Sequence, residues 1–298
     1  MWVSFTLLAA SFQTVRFMLQ KYLSMDALSA EGATFARFFF SFPFVLLGLW
    51  VYVSSGHHVV LDVTFRFWIF ATIGGLAQIL ATVCVVLLFQ ARNFAVGITF
   101  KKTEVVLSVL VGLAVLGEGV SAVGLLAILL GVVGVLLLSK DPAVDGYWWQ
   151  HLLSRAVALG LSSGGLFAIS AVCYRGATLE LESDDPILRA GLTLAAVVAW
   201  QVVIMTLWLV VRDPEQMRSV WRTRRVGVWV GLTSLGGSFC WFVAFAVQTA
   251  AYVKALGQVE LIFSILASVL FFKETIRFRE VAGMGFLASS ILLLIFVI

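Results

Sequence analysis

Two glutamates interrupt stretches of the chain that are otherwise apolar. Glu104 follows Lys101, Lys102 and Thr103, and Glu260 follows Gln258 and Val259. Lys101, Glu104 and Ser108 recur at i, i+3 and i+7, which is one stripe of a helix. The later segment offers Lys254, Gln258, Glu260 and Ser264 in a related pattern. Such a carboxylate pair can titrate protons or bind a cation, and Lys101 or Lys102 can hold an anionic group. Burial raises a carboxylate's affinity for a proton and a neighbouring cation lowers it. The alternative is a permanent Lys–Glu staple between helices.

A second polar stripe lies near the beginning, where Gln13, Arg16 and Gln20 again fall at i, i+3 and i+7. The planar fork of Arg16 suits two-point binding of a carboxylate or phosphate. It can equally serve an ion pair with Glu31 or Glu104. Further on, Gln78 and Thr82 share one face, as do Ser163, Ser170 and Tyr174. Ser234, Ser238, Trp241, Phe245 and Gln248 form another stripe, of which Trp241 and Gln248 are candidates for the wall of a polar cavity. Arg37 and Arg189 stand nearer segment ends, where snorkelling or capping is expected.

These groups must be positioned by elements immersed in lipid. Of 298 residues, 61% are hydrophobic and 12% charged, and the mean hydropathy is +1.05. A soluble domain carries roughly a quarter charged residues, so half that share cannot clothe a water-facing surface. Cutting the sequence at polar breaks gives ten apolar spans near 2–22, 29–53, 66–90, 94–116, 120–139, 152–177, 187–211, 226–248, 252–273 and 279–298. Each is long enough for the roughly 20 residues that a helix needs to cross a bilayer. Helices are required because each segment must satisfy its own backbone in lipid. Within such spans an ionisable group costs about 2.5–3.5 kcal/mol to insert, so it is a functional candidate by default.

The spans are doubled. Lys102-Thr-Glu-Val-Val-Leu-Ser108 parallels Gln258-Val-Glu-Leu-Ile-Phe-Ser264, and both lead through apolar runs to Glu118 and Glu274. Thr-Phe-Ala-Arg37 parallels Pro-Ile-Leu-Arg189, and Gly74-Gly75 parallels Gly236-Gly237. The division is residues 1–140, a linking loop 141–151, and residues 152–298, forming one integrated transmembrane domain. Because each copy holds an odd number of spans, the copies insert in opposite orientations. The expectation is an all-α membrane protein of two inverted five-helix repeats, with a site near the midplane and Glu104 facing Glu260.

On these features the chain resembles the drug/metabolite transporter superfamily, in its ten-helix EamA-type branch, over essentially its whole length. The resemblance rests on the doubled layout, the Phe35-Ala-Arg37-Phe segment of the second span and the Leu116-Gly-Glu118 ending, repeated as Phe272-Lys-Glu274. It implies export or import of small metabolites. The family often has a proline about thirteen residues before the Gly-Glu ending; here Val105 and Leu261 stand there.

The functional expectation is a secondary transporter of a small zwitterionic or anionic metabolite, working by alternating access with proton coupling at Glu104 and Glu260. Substrate contacts are expected from Arg16, Gln13, Gln20, Gln78, Lys101, Lys102, Trp241, Gln248 and Gln258. A lipid-linked-sugar flippase and a channel are the alternatives. An enzyme is disfavoured because no span holds a histidine and every aspartate lies in a loop or at a span end. No GxxxxGK loop is present, which disfavours ATP-driven pumping. Neither cofactor nor metal is expected: the cysteines Cys84, Cys173 and Cys240 are scattered in apolar runs, and His57-His58 lack companions. The expected partners are the bilayer and a small molecule, with no nucleic acid and a monomeric state.

Lys and Arg gather in loops after odd-numbered spans, above all Arg212, Arg218, Arg222, Arg224 and Arg225. Cytoplasmic loops carry such excess. The count places both termini outside the cytoplasm in a cytoplasmic membrane, whereas the family resemblance implies the reverse. The dense Arg212–Arg225 cluster on one short loop favours the charge count.

Overall fold

The computed structural model describes residues 1–55, 63–89, 101–138, 155–263 and 278–297. The described residues are helical throughout, with no strand. The helices are α1 (Trp2–Asp26), α2 (Ala30–Ser54), α3 (Phe65–Phe89), α4 (Glu104–Leu116), α5 (Ala122–Leu138), α6 (Arg155–Leu179), α7 (Pro186–Arg212), α8 (Pro214–Arg222), α9 (Arg224–Val247), α10 (Ala250–Leu256) and α11 (Phe278–Val297). Six of them, α1, α2, α3, α6, α7 and α9, contain stretches long and apolar enough to cross a bilayer, and α4, α5 and α11 carry shorter apolar ones. The chain is a multi-pass helical membrane protein.

Local chemistry sets the helix ends. Ser29 accepts a hydrogen bond from the Gly32 N–H and opens α2. Asp185 does the same for α7 through the Ile187 N–H, with Pro186 at the first helical position. α4 closes at Gly117, whose φ of 67° is left-handed. Glycine takes that conformation without a Cβ penalty. The Leu116-Gly-Glu118 motif is therefore a helix stop. Beyond it, the Glu118 carboxylate pairs with Arg175 of α6 at 2.9 Å.

The distribution of polarity is that of a protein in lipid. Arg16, Arg37, Lys101, Lys102, Glu104 and Lys254 are buried, while Leu47, Trp50, Leu80, Leu126, Val203 and Leu207 are exposed. An apolar belt of this kind has no place in water. α1 packs on α9, α3 on α6, α5 on α11, α2 on both α7 and α9, and α4 on α6 and α10. Small residues permit the closest of these approaches. A Cβ on Gly74 would come within 2.9 Å of Tyr174, and one on Gly236 within 2.9 Å of Phe12.

Three sequence expectations need correction. The fourth span is not one unbroken helix: Lys102 and Thr103 form a turn and α4 starts at Glu104. The ninth span breaks at the matching place, with α10 ending at Leu256 and a turn at Gly257 and Gln258. In both, irregular backbone is tolerated because it is buried inside the protein rather than exposed to lipid. Finally, the arginine-rich stretch after α7 contains the short helix α8, begun by Pro214 and burying Val220. The linking loop 141–151, His57, His58, Trp148, Trp149, Ser264 and Glu274 lie outside the described residues.

Candidate functional site

The two helix breaks bring five charges together. Lys101 Nζ lies 3.8 Å from Glu104 Oε2, and Lys254 Nζ lies 3.8 Å from the other oxygen, Oε1. Lys102 Nζ lies 3.7 Å from Glu260 Oε2. Each glutamate is thus neutralised by a lysine of the opposite half. Lysines stand against both Glu104 and Glu260, the pair that the repeat predicts to face one another. Glu260 is further tied by the Gln13 amide, which donates to Oε2 at 2.7 Å. Gln13 Oε1 in turn accepts from the Trp241 indole N–H at 3.2 Å.

Gly164 of α6 sets the position of the first break. A Cβ there would meet the Lys101 carbonyl oxygen at 2.7 Å and Thr103 Oγ1 at 3.0 Å. On the other side, a Cβ on Gly257 would meet the Trp241 ring at 2.4 Å. Both breaks are therefore seated against a neighbouring helix at backbone distance.

A small cavity of about 20 Å³, enough for about one water molecule, lies beside this cluster. It is lined by Arg16, Arg37, Lys254, Gln13, Gln78 and Trp241 among others, and among the described residues no carboxylate is in its wall. Lys254 sits among aromatic faces, 4.7 Å from the Trp241 ring centre and 5.6 Å from that of Phe167. Cation–π attraction of this kind contributes about 0.5–2 kcal/mol. Trp241 and Phe245 stack at 5.9 Å with their planes 18° apart, forming a flat aromatic wall.

Arg16 is 2% exposed and rests on the Phe17 ring at 4.5 Å. Its Nε and Nη2 have no hydrogen-bond partner among the described residues. Among the described residues neither Glu31 nor Glu104 forms an ion pair with it, while Glu260 acts on it electrostatically. These two nitrogens form one edge of the guanidinium, the edge that takes an oxyanion by two parallel bonds.

Arg37 is the residue that sequence reasoning misplaced. Snorkelling was expected, yet it is 1% exposed and enters the cavity wall. Hydroxyls fix it: Nε donates to Ser234 at 2.9 Å, Nη1 to Thr82 at 2.9 Å, and Nη2 to Ser238 at 3.4 Å. The signal was present in the sequence as hydroxyl stripes in two spans, but nothing there showed both stripes converging on one arginine. Its repeat counterpart Arg189 does cap, donating to the Ala246 carbonyl at the end of α9.

Of the residues expected to touch substrate, Gln13, Arg16, Gln78 and Trp241 line the cavity. Gln78 is held by the Tyr174 hydroxyl at 3.0 Å and the Gln201 amide at 2.9 Å. Lys101 lies in the charge cluster rather than the wall. Four expectations fail on position. Gln20 is a turn too far along α1 and donates to the Ala33 carbonyl of α2 at 3.4 Å. Gln248 lies at the end of α9, where its side chain accepts from the Thr249 N–H. Gln258, with Lys102, borders a separate tight void between α4, α5 and α11.

No family model and no curated protein matches this sequence. A solved crystal structure, described simply as that of a protein, is similar over 97% of this chain and 99% of its own, with a TM-score of 0.68 and 13% identity. That similarity extends to the fold.

Proposed function

We propose that this chain is a secondary carrier for a small anionic metabolite, in a ten-span inverted-repeat architecture of the EamA type, captured in an occluded conformation. The observation that carries the reading is Arg16, buried with two nitrogens lacking a hydrogen-bond partner among the described residues, in the wall of a cavity that also holds Arg37 and Lys254 and, among the described residues, no carboxylate. A zwitterion would need an acceptor for its ammonium group. The nearby carboxylates are already committed to lysines, so an anion is the better match than an amino acid.

The architecture is supported by reciprocity. Taking the first span as equivalent to the sixth, and so on, the packing of α1 on α9 becomes that of α6 on α3, and α2 on α9 becomes α7 on α3; all four contacts exist. The Gly74–Tyr174 and Gly236–Phe12 approaches are exchanged by the same operation. Matching breaks in the fourth and ninth spans put irregular backbone where a cavity can use it, as inverted-repeat carriers do. With odd copies, the axis lies in the membrane plane. Arg212 to Arg225 then mark the cytoplasmic side of a cytoplasmic membrane, by the charge rule.

A flippase would need the tail of its substrate to leave sideways from the head-group site. The apolar groove between α2, α7 and α9, about 240 Å³, shares no lining residue with the charged cavity. The carrier reading therefore stands ahead of it.

The test is uptake into proteoliposomes of purified protein, across a panel of labelled anions, amino acids and neutral metabolites at two pH values. An anion is taken up, and Arg16→Lys weakens its uptake while leaving expression and folding intact. Uptake confined to neutral or cationic compounds overturns the reading.

A further inference from the structure

Five arginines gather where α7, α8 and α9 meet. Arg212, Arg218, Arg222, Arg224 and Arg225 are all exposed, and among the described residues none of them is in an ion pair. Only Asp213 and Glu215 offset them within residues 212–225. α8 sorts this stretch into two faces. Gln216 and Val220, one turn apart, point inward: Gln216 Oε1 accepts from the Ser29 N–H at 3.0 Å, and Val220 is buried. Arg218, Trp221 and Arg222 fall at i, i+3 and i+4 on the other side, where with Met217 they border a shallow surface depression.

The outward face is aromatic as well as cationic. Trp208 near the end of α7, Trp221 on α8 and Trp229 near the start of α9 are each more than half exposed. Exposed indoles at the ends of membrane-crossing helices sit at headgroup level, where the ring meets apolar chains and its N–H meets water. α8 joins those two ends and therefore lies at that level. The Arg212 guanidinium stands over the Trp208 ring at 5.4 Å, and that of Arg224 over the Trp221 ring at 5.9 Å. A guanidinium laid on an indole keeps its N–H edges for phosphate oxygens, which it takes by two parallel bonds.

We infer that the outward face of α8, with Arg212, Arg224 and Arg225 beside it, is a docking surface for phospholipid headgroups of net negative charge. Charge selects these over zwitterionic lipids. Both kinds carry a phosphate, but a choline group would bring its own cation up to the arginines. Trp221 selects a bilayer over a soluble acidic partner, because its indole continues the level set by Trp208 and Trp229. Basic amphipathic helices bind such surfaces by apolar burial together with attraction to anionic lipid. In a cytoplasmic membrane the anionic leaflet faces the cytoplasm, the side to which the charge count assigns this end of the bundle. The surface shares no residue with the charged cavity, so the inference is independent of what the protein carries. It does reach the cavity through α2. Gln216 holds the start of that helix, and the same helix brings Arg37 into the cavity wall. A headgroup that fixes α8 from outside thus also steadies α2.

The experiment places the full-length protein in nanodiscs of phosphatidylcholine, with or without about 30% phosphatidylglycerol, at low salt. The thermal midpoint is measured, and native mass spectrometry after detergent release counts the lipids retained. Phosphatidylglycerol raises the wild-type midpoint and is retained over phosphatidylcholine by at least about tenfold, as several surface arginines acting together require. Salt at about 0.5 M removes most of the midpoint shift. Arg218→Gln with Arg222→Gln, both at exposed positions, lowers the preference at least about fivefold, the share of one surface arginine. Arg66→Gln with Arg155→Gln removes the same charge from exposed positions off α8 and keeps the wild-type preference. Equal losses in the two double variants overturn the assignment to α8. A wild-type protein that retains both lipids equally overturns the surface altogether. Stabilisation by soluble polyglutamate in phosphatidylcholine nanodiscs, with no response to phosphatidylglycerol, overturns it in favour of an acidic protein partner.

Discussion

Lys254 Nζ lies 3.8 Å from Glu104 Oε1, joining the two halves of the chain at their broken helices. At that separation the contact is an ion pair rather than a direct hydrogen bond. Its reciprocal, Lys102 with Glu260 at 3.7 Å, crosses the same boundary in the opposite sense. In the carrier cycle proposed above, rearranging the halves would stretch or exchange these pairs, and an anion reaching Lys254 would compete with Glu104 for it.

Glu104→Gln leaves Lys254 and Lys101 buried without their shared carboxylate. Removing one partner of a buried pair costs about 3–5 kcal/mol, so a large fall in thermal midpoint is expected in lipid nanodiscs. Adding Lys254→Met should recover part of it. A stable Glu104→Gln protein that transports but has lost its pH dependence would instead establish the carboxylate as the coupling group.

Gly164→Val drives a side chain into the Lys101 carbonyl oxygen, 2.7 Å from where Cβ must sit. Backbone cannot swing aside as a flexible side chain can, and overpacking of this kind costs about 1–3 kcal/mol or more. Uptake and folded yield should both fall. Gly165→Ala is the control, because the nearest atom to its Cβ is Leu107 Cδ1 at 3.9 Å; it should behave as wild type.

Tyr252→Phe removes the acceptor of the Ser121 N–H, a 3.0 Å bond from the start of α5 to α10. The expected loss is about 1 kcal/mol, read as a small drop in thermal midpoint. Gly124→Ala should cost more in the wild type than in Tyr252→Phe, since its Cβ would fall 2.4 Å from that hydroxyl oxygen, while ring atoms at 2.6 and 2.9 Å that Phe keeps make it costly in both. Equal costs in both backgrounds would show that the hydroxyl is not what crowds the position.

A cysteine at Arg222, on an exposed surface of α8, should react with a membrane-impermeant thiol reagent only after the cytoplasmic face is opened. A reporter fused to the C-terminus should be active on the opposite face. Labelling of the α8 cysteine in intact cells would reverse the orientation and favour the family-based topology over the charge count.

How much of this was legible beforehand differs between fold and site. Lipid immersion and helical spans follow from composition and segment length, because a backbone in hydrocarbon has few ways to satisfy itself. The polar stripe of α1 and the Lys-Thr-Glu segment were likewise readable, since charge inside an apolar span is expensive wherever it falls. Position along a helix is a different matter. Gln13 and Gln20 differ by two turns on one face, yet only Gln13 meets Glu260, whereas Gln20 meets the backbone of α2. Periodicity gives the face, and the crossing of neighbouring helices gives the depth at which that face becomes the centre.

The sequence by itself determined which residues could not be left to lipid. The tertiary structure alone decided their partners: that Glu104 belongs to lysines on both sides, that three hydroxyls from two helices converge on Arg37, and that one edge of Arg16 is left bare. The reason is that charge pairing depends on distances between segments far apart in the chain. Each segment's pattern is satisfied by many packings, and only the one adopted fixes which cation meets which carboxylate.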